Sequence, residues 1–412
     1  MADNKQNKRP NVPPLRFPEF TEQWERFKVS DMLDFYSTNS LSWEQLEFTD
    51  GELRNLHYGM IHVGLPTLLN LKESKLPTIK EGNEPKSYTL CVNGDVAFAD
   101  ASEDTNDVAK AIELVETDGQ KVVFGLHTIH GRDNKGLTEA GFKGYLFSSK
   151  VFHDQIKRIA QGTKVFSISS KNFSECFVGL PSKAEQSKIA RLLSLLDRRI
   201  TVQSKLIEQL ESLIKGITLQ ASKSSDCESV LLSNILTERN EANTAQHEVC
   251  SVSVSQGVVN QVEYLGRSFA AKDISHYNVV HYGDIIYTKS PTGDFPYGIV
   301  KRSHQQNHVA VSPLYGVYIP TSNDIGCFLH YYFCNAVSAK NYLHKLIQKG
   351  AKNTINITNQ RFLENTINLP KAEKLAQVVA LLNCLSAKKE QAENLLALLN
   401  KQKQFFLNQM FI

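Results

Sequence analysis

The sequence predicts an α+β protein built as a tandem repeat, with two mixed α/β domains separated by two long helices. Three observations lead to this fold class. Two stretches, near residues 181–222 and 370–412, carry apolar residues alternately three and four positions apart, which is the spacing of a coiled-coil seam. The rest of the chain mixes short β-rich runs with turns. Finally, the second half repeats features of the first at a constant offset of 189 residues.

The two long helices open in the same way, at the Leu-Pro pairs 180–181 and 369–370. The apolar seam positions of the first helix, interrupted only by Gln203, are Ile189, Leu193, Leu196, Ile200, Ile207, Leu210, Ile214 and Ile217. Those of the second, where Lys389 and Lys403 are the polar exceptions, are Val378, Leu382, Leu385, Ala392, Leu396, Leu399 and Phe406. We expect the seams to pair as an antiparallel coiled coil, which gives the chain a pseudo-twofold axis.

The internal repeat extends beyond the helices into the mixed regions. The matched positions at the common offset are Gly94-Asp95 with Gly283-Asp284, Phe98 with Tyr287, Ile168 with Ile357, Phe173 with Phe362 and Glu175 with Glu364. Several anchors at one offset indicate a duplicated plan. The sequence therefore predicts a disordered lead over 1–14, a first domain over 15–180, a first helix over 181–222, a second domain over 223–369 and a second helix over 370–412.

Local patterns predict several elements within the two domains. The β-rich runs at 96–98, 122–124 and 145–147 are strand candidates in the first domain, and those at 249–254, 285–287 and 315–319 are candidates in the second. Helical patterns cover 149–160 and about 326–347. In both domains the Gly-Asp pair reads as a turn that leads into a strand.

Composition excludes several protein classes. The chain is 41% hydrophobic and 22% charged with a net charge of +3, so any basic surface must be local. Its seven cysteines are scattered without a CxxC pair, which indicates reduced thiols in a cytoplasm. The polar stretch 1–14 has no apolar signal-peptide core, and no run approaches the ~18–20 apolar residues that span a bilayer. We expect a cytoplasmic protein that does not associate with membranes.

Catalytic motifs are missing from the sequence. It has no phosphate-binding loop, no dinucleotide fingerprint and no Asn/Asp-Pro-Pro-aromatic motif of amino-methyltransferases. The pair His127 and His130 has a spacing that a metal could use, but no Glu lies between them and the stretch is β-rich, so no metal site is expected. We therefore expect neither catalytic residues nor a cofactor on this chain.

Two acid-poor basic segments occupy equivalent positions, each just before a Leu-Pro pair. Residues 143–171 contain six basic residues and one acid, Asp154, and residues 326–362 contain no acid at all. A single such segment most simply forms a solvated basic face. Two at equivalent positions favour phosphate contacts on two segments of DNA. The basic candidates are Lys143, Lys164, Lys171, Lys349, Lys352 and Arg361.

Polar loops beside these segments are candidates for reading bases, since side-chain donors and acceptors pair with base edges. One loop follows the strand after the first Gly-Asp turn, its counterpart follows the second, and a third precedes Arg132. The candidate residues are Ser102, Asp104, His127, Thr128, Arg132, Lys289, Ser290 and Thr292. For any single loop residue turn chemistry is the preferred interpretation, since Gly, Asp and Ser favour turns whether or not a ligand is bound.

These features together resemble the DNA specificity subunit of type I restriction–modification systems. The resemblance rests on the segment 15–20 with Trp24, on the helix opening 180–190, on the first-domain runs 125–129 and 162–165, and on the second-domain runs 287–298 and 312–315. The second helix departs from the pattern, because Lys374-Leu375 stands where the first has Glu185-Gln186. That departure puts in doubt whether both helix openings make the same contacts.

The resemblance implies two target-recognition domains that each read half of a split double-stranded DNA sequence. The helices would set the gap between the halves and dock two modification subunits, which bind S-adenosylmethionine and methylate adenine. Restriction subunits would hydrolyse ATP with Mg²⁺, translocate DNA and cut it. The outward leucines expected to meet the modification subunits are Leu192, Leu206, Leu213, Leu381, Leu395 and Leu398.

Two other functions compete with this one. The first is a DNA methyltransferase with its own target-recognition domain, against which the missing methyltransferase motif argues. The second is a non-catalytic coiled-coil scaffold with two protein-binding domains, against which the paired basic segments argue weakly.

Overall fold

A computed structural model describes residues 11–349 and 355–412, and the chain divides into two compact units. The first unit combines residues 1–203 with residues 395–412, and the second comprises residues 204–394. Each unit therefore holds one mixed domain with part of each long helix. The predicted fold class, two mixed α/β domains joined by long helices, is confirmed, whereas the predicted domain limits stay a prediction.

The long helices are α6 (Lys183–Ala221) and α11 (Ala372–Gln409). The strands of the first unit are β1 (Glu25–Lys28), β2 (Asp34–Tyr36), β3 (Leu46–Glu47), β4 (Leu53–Leu56), β5 (Leu68–Asn70), β6 (Thr78–Ile79), β7 (Val96–Ala99), β8 (Ala101–Ser102), β9 (Ala111–Glu116), β10 (Lys121–Phe124), β11 (Thr128–Arg132), β12 (Phe166–Ser167) and β13 (Phe177–Leu180). Its shorter helices are α1 (Val29–Met32), α2 (Tyr58–Val63), α3 (Phe142–Phe147), α4 (Lys150–Ile159), α5 (Ser170–Ser174) and the 3-10 helix Trp43–Gln45.

The strands of the second unit are β14 (Cys227–Leu231), β15 (Leu236–Glu238), β16 (Cys250–Ser253), β17 (Gly257–Asn260), β18 (Asn278–Val280), β19 (Ile285–Tyr287), β20 (Val300–Arg302), β21 (Val309–Val311), β22 (Gly316–Pro320), β23 (Gln348–Lys349), β24 (Ile355–Asn356) and β25 (Thr366–Pro370). Its shorter helices are α7 (Gln261–Leu265), α8 (Asn323–Cys334), α9 (Ala336–His344), α10 (Asn359–Phe362) and the 3-10 helix Leu232–Asn234.

A central strand buried on both faces organises each unit. In the first unit the five-stranded sheet has the order β2-β11-β7-β9-β5, and β7 sends alternate side chains into two different cores. In the second unit the sheet order is β15-β22-β19-β20, and β19 divides its side chains in the same way. Burial on both faces explains why the two strands read as continuous apolar runs.

The internal repeat predicted from the sequence is present in the packing of each unit. The Phe98 ring lies 4.5 Å from the Phe173 ring, and the Tyr287 ring lies 4.7 Å from the Phe362 ring, as centroid distances. In both units the first strand pairs antiparallel with the strand that precedes a long helix, as β1 with β13 and β14 with β25. Matched sequence positions therefore occupy matched places.

The seam positions of both helices are buried or half-buried within the units. In the first unit Asp197 of α6 forms an ion pair with Lys403 of α11 at 2.6 Å. In the second unit Glu211 of α6 pairs with Lys389 of α11 at 2.8 Å. The two lysines are the polar exceptions in the predicted seam, and each meets an acid across the helix pair. In the first unit the N-terminal part of α6 also shares its core with the C-terminal part of α11, so the helices run antiparallel there.

The segment that precedes β1 is hydrogen-bonded to the N-terminal turn of α6. The Arg16 guanidinium donates two hydrogen bonds to the buried Glu185 carboxylate, at 2.7 and 2.6 Å. The neighbouring Gln186 accepts from the Glu139 backbone and donates to two backbone carbonyls. In the second unit Leu375 stands in place of Gln186 and is buried in the apolar core. At this position the second helix therefore has an apolar contact in place of the hydrogen bonds that Gln186 makes in the first.

Two predicted elements differ from the structure. Residues 145–147, predicted as a strand, end the helix α3, because the buried Glu113 carboxylate accepts hydrogen bonds from the amides of Gly141 and Gly144 and holds this turn. The single helix predicted near 326–347 is two helices, α8 and α9. Asn335 interrupts it in an extended conformation, and its side chain caps α9.

The other predicted elements within the domains are present with small shifts of their ends. Of the predicted lead over 1–14, residues 1–10 lie outside the described residues, and Asn11 exchanges hydrogen bonds with the Trp24 backbone. Among the described residues, no helix combines the length and the apolar character needed to cross a membrane.

The helix pairing makes a prediction about two adjacent leucines of α11. Leu382 is fully buried, whereas the side chain of Leu381 is 47% exposed. Leu382→Ala should lower the free energy of unfolding by about 2–5 kcal/mol because it removes a buried side chain and leaves a cavity. Leu381→Ala, the matched control, should stay within about 0.5 kcal/mol. Urea denaturation of both variants measures the difference, and equal losses would contradict the seam assignment.

Candidate nucleic-acid interface

The first candidate surface forms where the loop after β7 meets the basic segment before α5. Strand β8, which contains Ser102, pairs antiparallel with β12 at residues 166–167. This pairing brings the half-buried Ser102 and the exposed Asp104 that follows it beside the turn that carries the exposed Lys164. Gly162 starts that turn with a φ of 131°, and a Cβ there would lie 1.9 Å from the Val165 carbonyl oxygen. A glycine is therefore required to present Lys164 in this way.

His127 lies at the tip between β10 and β11, on the same side as the loop after β7. Its Nδ1 is 3.1 Å from the Asp100 carboxylate, and its backbone φ of 54° is in the left-handed region. Burial raises the pKa of Asp100, and the nearby His127 opposes that rise. The neighbouring Thr128 is buried and donates its hydroxyl to the Gly125 carbonyl. His127 is thus presented outward, whereas Thr128 stabilises its own loop.

A cluster of aromatic rings adjoins His127 and was not expected from the sequence. The Tyr58 ring contacts both His127 and His57, with centroids 5.1 and 4.7 Å apart. His57 in turn lies 4.5 Å from the ring of Trp43, which is 45% exposed. These residues come from separate segments without a common motif, so only the fold brings them together. Exposed rings beside polar side chains suit contacts with bases.

Two predicted DNA contacts serve the core instead. Lys143 is 3% exposed, and its ammonium lies 3.3 Å from the buried Glu113 carboxylate, so it has no access to a phosphate. The Arg132 guanidinium donates two hydrogen bonds of 2.7 Å to the buried Asp95 carboxylate. Burial alone would raise the pKa of Asp95, but the hydrogen bonds from Arg132 and His130 hold it below its usual value. Sequence spacing could not reveal either buried partner.

In the second unit the equivalent loop follows β19. The loop ends at Gly298, which packs against the Thr288 backbone. Only glycine fits there, because a Cβ would lie 1.8 Å from the Thr288 carbonyl oxygen. Between these ends, Ser290 and Thr292 are exposed and Lys289 is half-buried, and burial lowers the pKa of Lys289. The polar residues predicted at this position are therefore placed together on one surface loop.

The remaining basic candidates are placed as follows. Lys171 is exposed on α5, and Arg361 on α10 forms an ion pair with Glu364. Lys349 belongs to β23, but its side chain, like all of Lys352, lies outside the described residues.

The candidate docking leucines divide into two groups. Leu213, Leu381, Leu395 and Leu398 are exposed on the long helices. Leu192 and Leu206 are half-buried, and Leu192 packs against the core of the first unit. Four large apolar side chains are thus left on the helix surfaces, where a partner protein could cover them.

Residues 118–212 match the family model described as the type I restriction modification DNA specificity domain. Among solved structures, the chain is similar to the type I restriction-modification system S subunit from M. genitalium, at 13% identity and a TM-score of 0.57. That match covers 97% of this chain and 99% of the other.

A second structure, described as the structural basis underlying complex assembly and conformational transition of the type I R-M system, matches at 14% identity and a TM-score of 0.52. It covers 96% of this chain and 98% of the other. No curated protein matches the sequence. At these identities the solved structures show a shared fold, and the family model adds a sequence match. Together they confirm the resemblance drawn from the sequence.

The pairing of Arg132 with Asp95 predicts a structural rather than a base-reading role. Arg132→Ala would leave a buried carboxylate without its cation, which should lower the free energy of unfolding by about 3 kcal/mol. Arg158→Ala, at an exposed site on α4, should change it by less than about 0.5 kcal/mol. Chemical denaturation tests both variants. A stable Arg132→Ala protein with altered base preference would return Arg132 to the DNA surface.

Proposed function

We propose that the chain is the DNA sequence-recognition subunit of a type I restriction–modification complex, and that each unit reads one half of a bipartite target. The observation that carries this proposal is the equivalent pair of surface loops. In each unit a Gly-Asp turn with a buried aspartate leads into a buried strand, and a polar loop follows that strand. The family match spans His127, Lys164 and the opening of α6, which supports the assignment for the first unit.

Within the first unit the candidates divide by their chemistry. Lys164 is an exposed cation on a constrained turn, which suits a phosphate contact. His127 is held by Asp100 and faces the Tyr58 ring, so its position is better defined than that of a free surface side chain. We assign phosphate contact to Lys164 and base reading to His127, with Ser102 and Asp104 beside them. In the second unit Lys289, Ser290 and Thr292 take the corresponding part.

Neutralising Lys164 should weaken binding to all DNA sequences alike. Lys164→Gln should reduce the slope of log affinity against log salt concentration by about 0.9, the value for one phosphate contact. His127→Ala should instead weaken binding to the target more than to random DNA, because a base contact carries the specificity. Fluorescence anisotropy with target and random duplexes at several salt concentrations measures both effects.

A matched control for this experiment is Lys75→Gln. Lys75 is exposed after β5, at the end of the five-stranded sheet opposite to the loop that follows β7. Its removal should leave the salt slope unchanged. If Lys164→Gln and Lys75→Gln behave alike, the surface around Ser102 and Lys164 is not the DNA interface.

We further propose that the exposed helix leucines dock two modification subunits, and that restriction subunits join through the same complex. Leu398 is 62% exposed on α11. Leu398→Asp should weaken assembly with the modification subunits, because a carboxylate buried in an apolar contact costs a few kcal/mol. Asn400→Asp introduces the same charge two residues later, on a different side of the helix, and should assemble normally. Size-exclusion chromatography of each variant mixed with the modification subunits measures assembly. If Leu398→Asp assembles as well as the original chain, Leu398 is not part of the interface.

Catalysis is assigned to the partner subunits, with S-adenosylmethionine, ATP and Mg²⁺ bound there. The purified chain incubated with radiolabelled S-adenosylmethionine and genomic DNA should transfer no methyl groups, and addition of modification subunits should start the transfer. Methyl transfer by the chain alone would favour the competing function, a methyltransferase with its own target-recognition domain.

A further inference from the structure

A cluster of two histidines and one glutamate lies in the second unit, away from the loop after β19. Glu241 follows β15, His281 follows β18 and His308 precedes β21. Their ligand atoms all lie within 4.8 Å of one another. The His281 and His308 rings stack with centroids 3.8 Å apart and an interplanar angle of 17°. The cluster thus combines two imidazoles with one carboxylate.

The backbone holds these three residues in place. Val280 pairs with Val309 in the antiparallel ladder of β18 and β21, so His281 and His308 face each other one step beyond that pair. The Glu241 carbonyl accepts a hydrogen bond from Val279 on the other side of β18. The cluster therefore results from strand pairing rather than from the chance approach of flexible side chains.

The polar atoms of the cluster lack a complete set of partners. His281 Nε2 lies 2.8 Å from Glu241 Oε2, yet within the described residues it has no hydrogen-bond partner of acceptable geometry. The Arg239 guanidinium donates one hydrogen bond of 3.1 Å to the same Glu241 oxygen and two to the Asp284 carboxylate. Because one guanidinium serves two carboxylates, the group of Arg239, Asp284 and Glu241 keeps one formal negative charge beside two imidazoles.

Another three-residue group of possible metal ligands, in the first unit, differs in this respect. Cys91, Asp95 and His130 also lie close together, but Arg132, His130 and the Val92 amide all donate to the Asp95 carboxylate. That carboxylate is satisfied by protein donors and has no need of a cation. The comparison singles out the cluster in the second unit.

We propose that Glu241, His281 and His308 bind a divalent transition metal of the Zn²⁺ type. Imidazole nitrogens suit Zn²⁺, Co²⁺ and Ni²⁺, and two histidines with one glutamate form a known zinc ligand set. A bound ion would tie together the segments after β15, after β18 and before β21. The site lies outside the proposed DNA contacts, so it stands or falls independently of them.

Co²⁺ is a suitable probe, because its visible spectrum distinguishes imidazole and carboxylate ligands from thiolates. The full chain, treated with a chelator and titrated with Co²⁺, should bind one ion without the charge-transfer absorption of a thiolate ligand. His308→Asn, which alters an exposed residue and should leave the fold intact, should weaken the affinity at least about tenfold. Glu241→Gln should act in the same direction.

The matched control is His276→Asn, which removes an exposed histidine of the same unit outside the cluster. It should bind Co²⁺ like the original chain, and Zn²⁺ should raise the melting temperature of both but not of His308→Asn. Equal affinities in His308→Asn and His276→Asn would overturn the proposal. A thiolate charge-transfer band would also overturn it, since the ion would then be held by cysteines.

Discussion

The structure of each unit depends on a buried carboxylate that an arginine neutralises. Gly94 and Gly283 turn the backbone with φ of 93° and 91°, and the aspartate that follows each is buried at the start of the central strand. An unpaired carboxylate at such a place would be strongly destabilising, so the arginine is a condition for the strand to lie there. The polar loop that follows the strand is positioned by the same turn.

The two units obtain this arginine from different parts of the chain. Arg132 comes from β11 in the first unit, and Arg239 follows β15 in the second. The carboxylate is therefore retained at the matched position while its partner is not. The long helices also contain ion pairs at defined positions. Lys389 and Lys403 are the polar residues of an otherwise apolar seam, and each pairs with an acid of the other helix. Because such pairs add little stability over apolar contacts, we infer that they favour one helix register over others.

Much of the architecture could be predicted from the sequence, because periodicity and the constant offset report on local structure and on duplication. The helices α6 and α11, their seam residues and the matched strands β7 and β19 were found in this way. The prediction failed for residues 145–147 because the buried Glu113, distant in sequence, holds the amides of that turn. Lys143 and Arg132 were assigned to DNA for the same reason, since their buried partners cannot be read from spacing.

The aromatic rings around His127 and the Glu241 cluster were missed altogether, because their members are distant in sequence and only the fold brings them together. The sequence could thus locate loops and charged residues. It could not show which charged side chains are free at the surface and which, like Lys143 and Arg132, are paired with a buried carboxylate. That difference decides which residues can contact DNA, because a cation already paired in the core gains nothing from a phosphate.

The N-terminal turns of the two long helices occupy matched positions in the repeat but are stabilised by different contacts. In the first unit the buried Glu185 is matched by Arg16 from a segment that also contacts α11, where the Leu15 amide donates to the Gln409 carbonyl. In the second unit the exposed Lys374 stands at the position of Glu185, and the next residue, Leu375, is buried in the apolar core, so no arginine is needed there. A charged clamp demands one specific partner, whereas a leucine accepts any apolar surface of suitable shape. The first helix opening is therefore the more demanding of the two, and substitutions at Glu185 should be tolerated less well than substitutions at Leu375 that keep its volume.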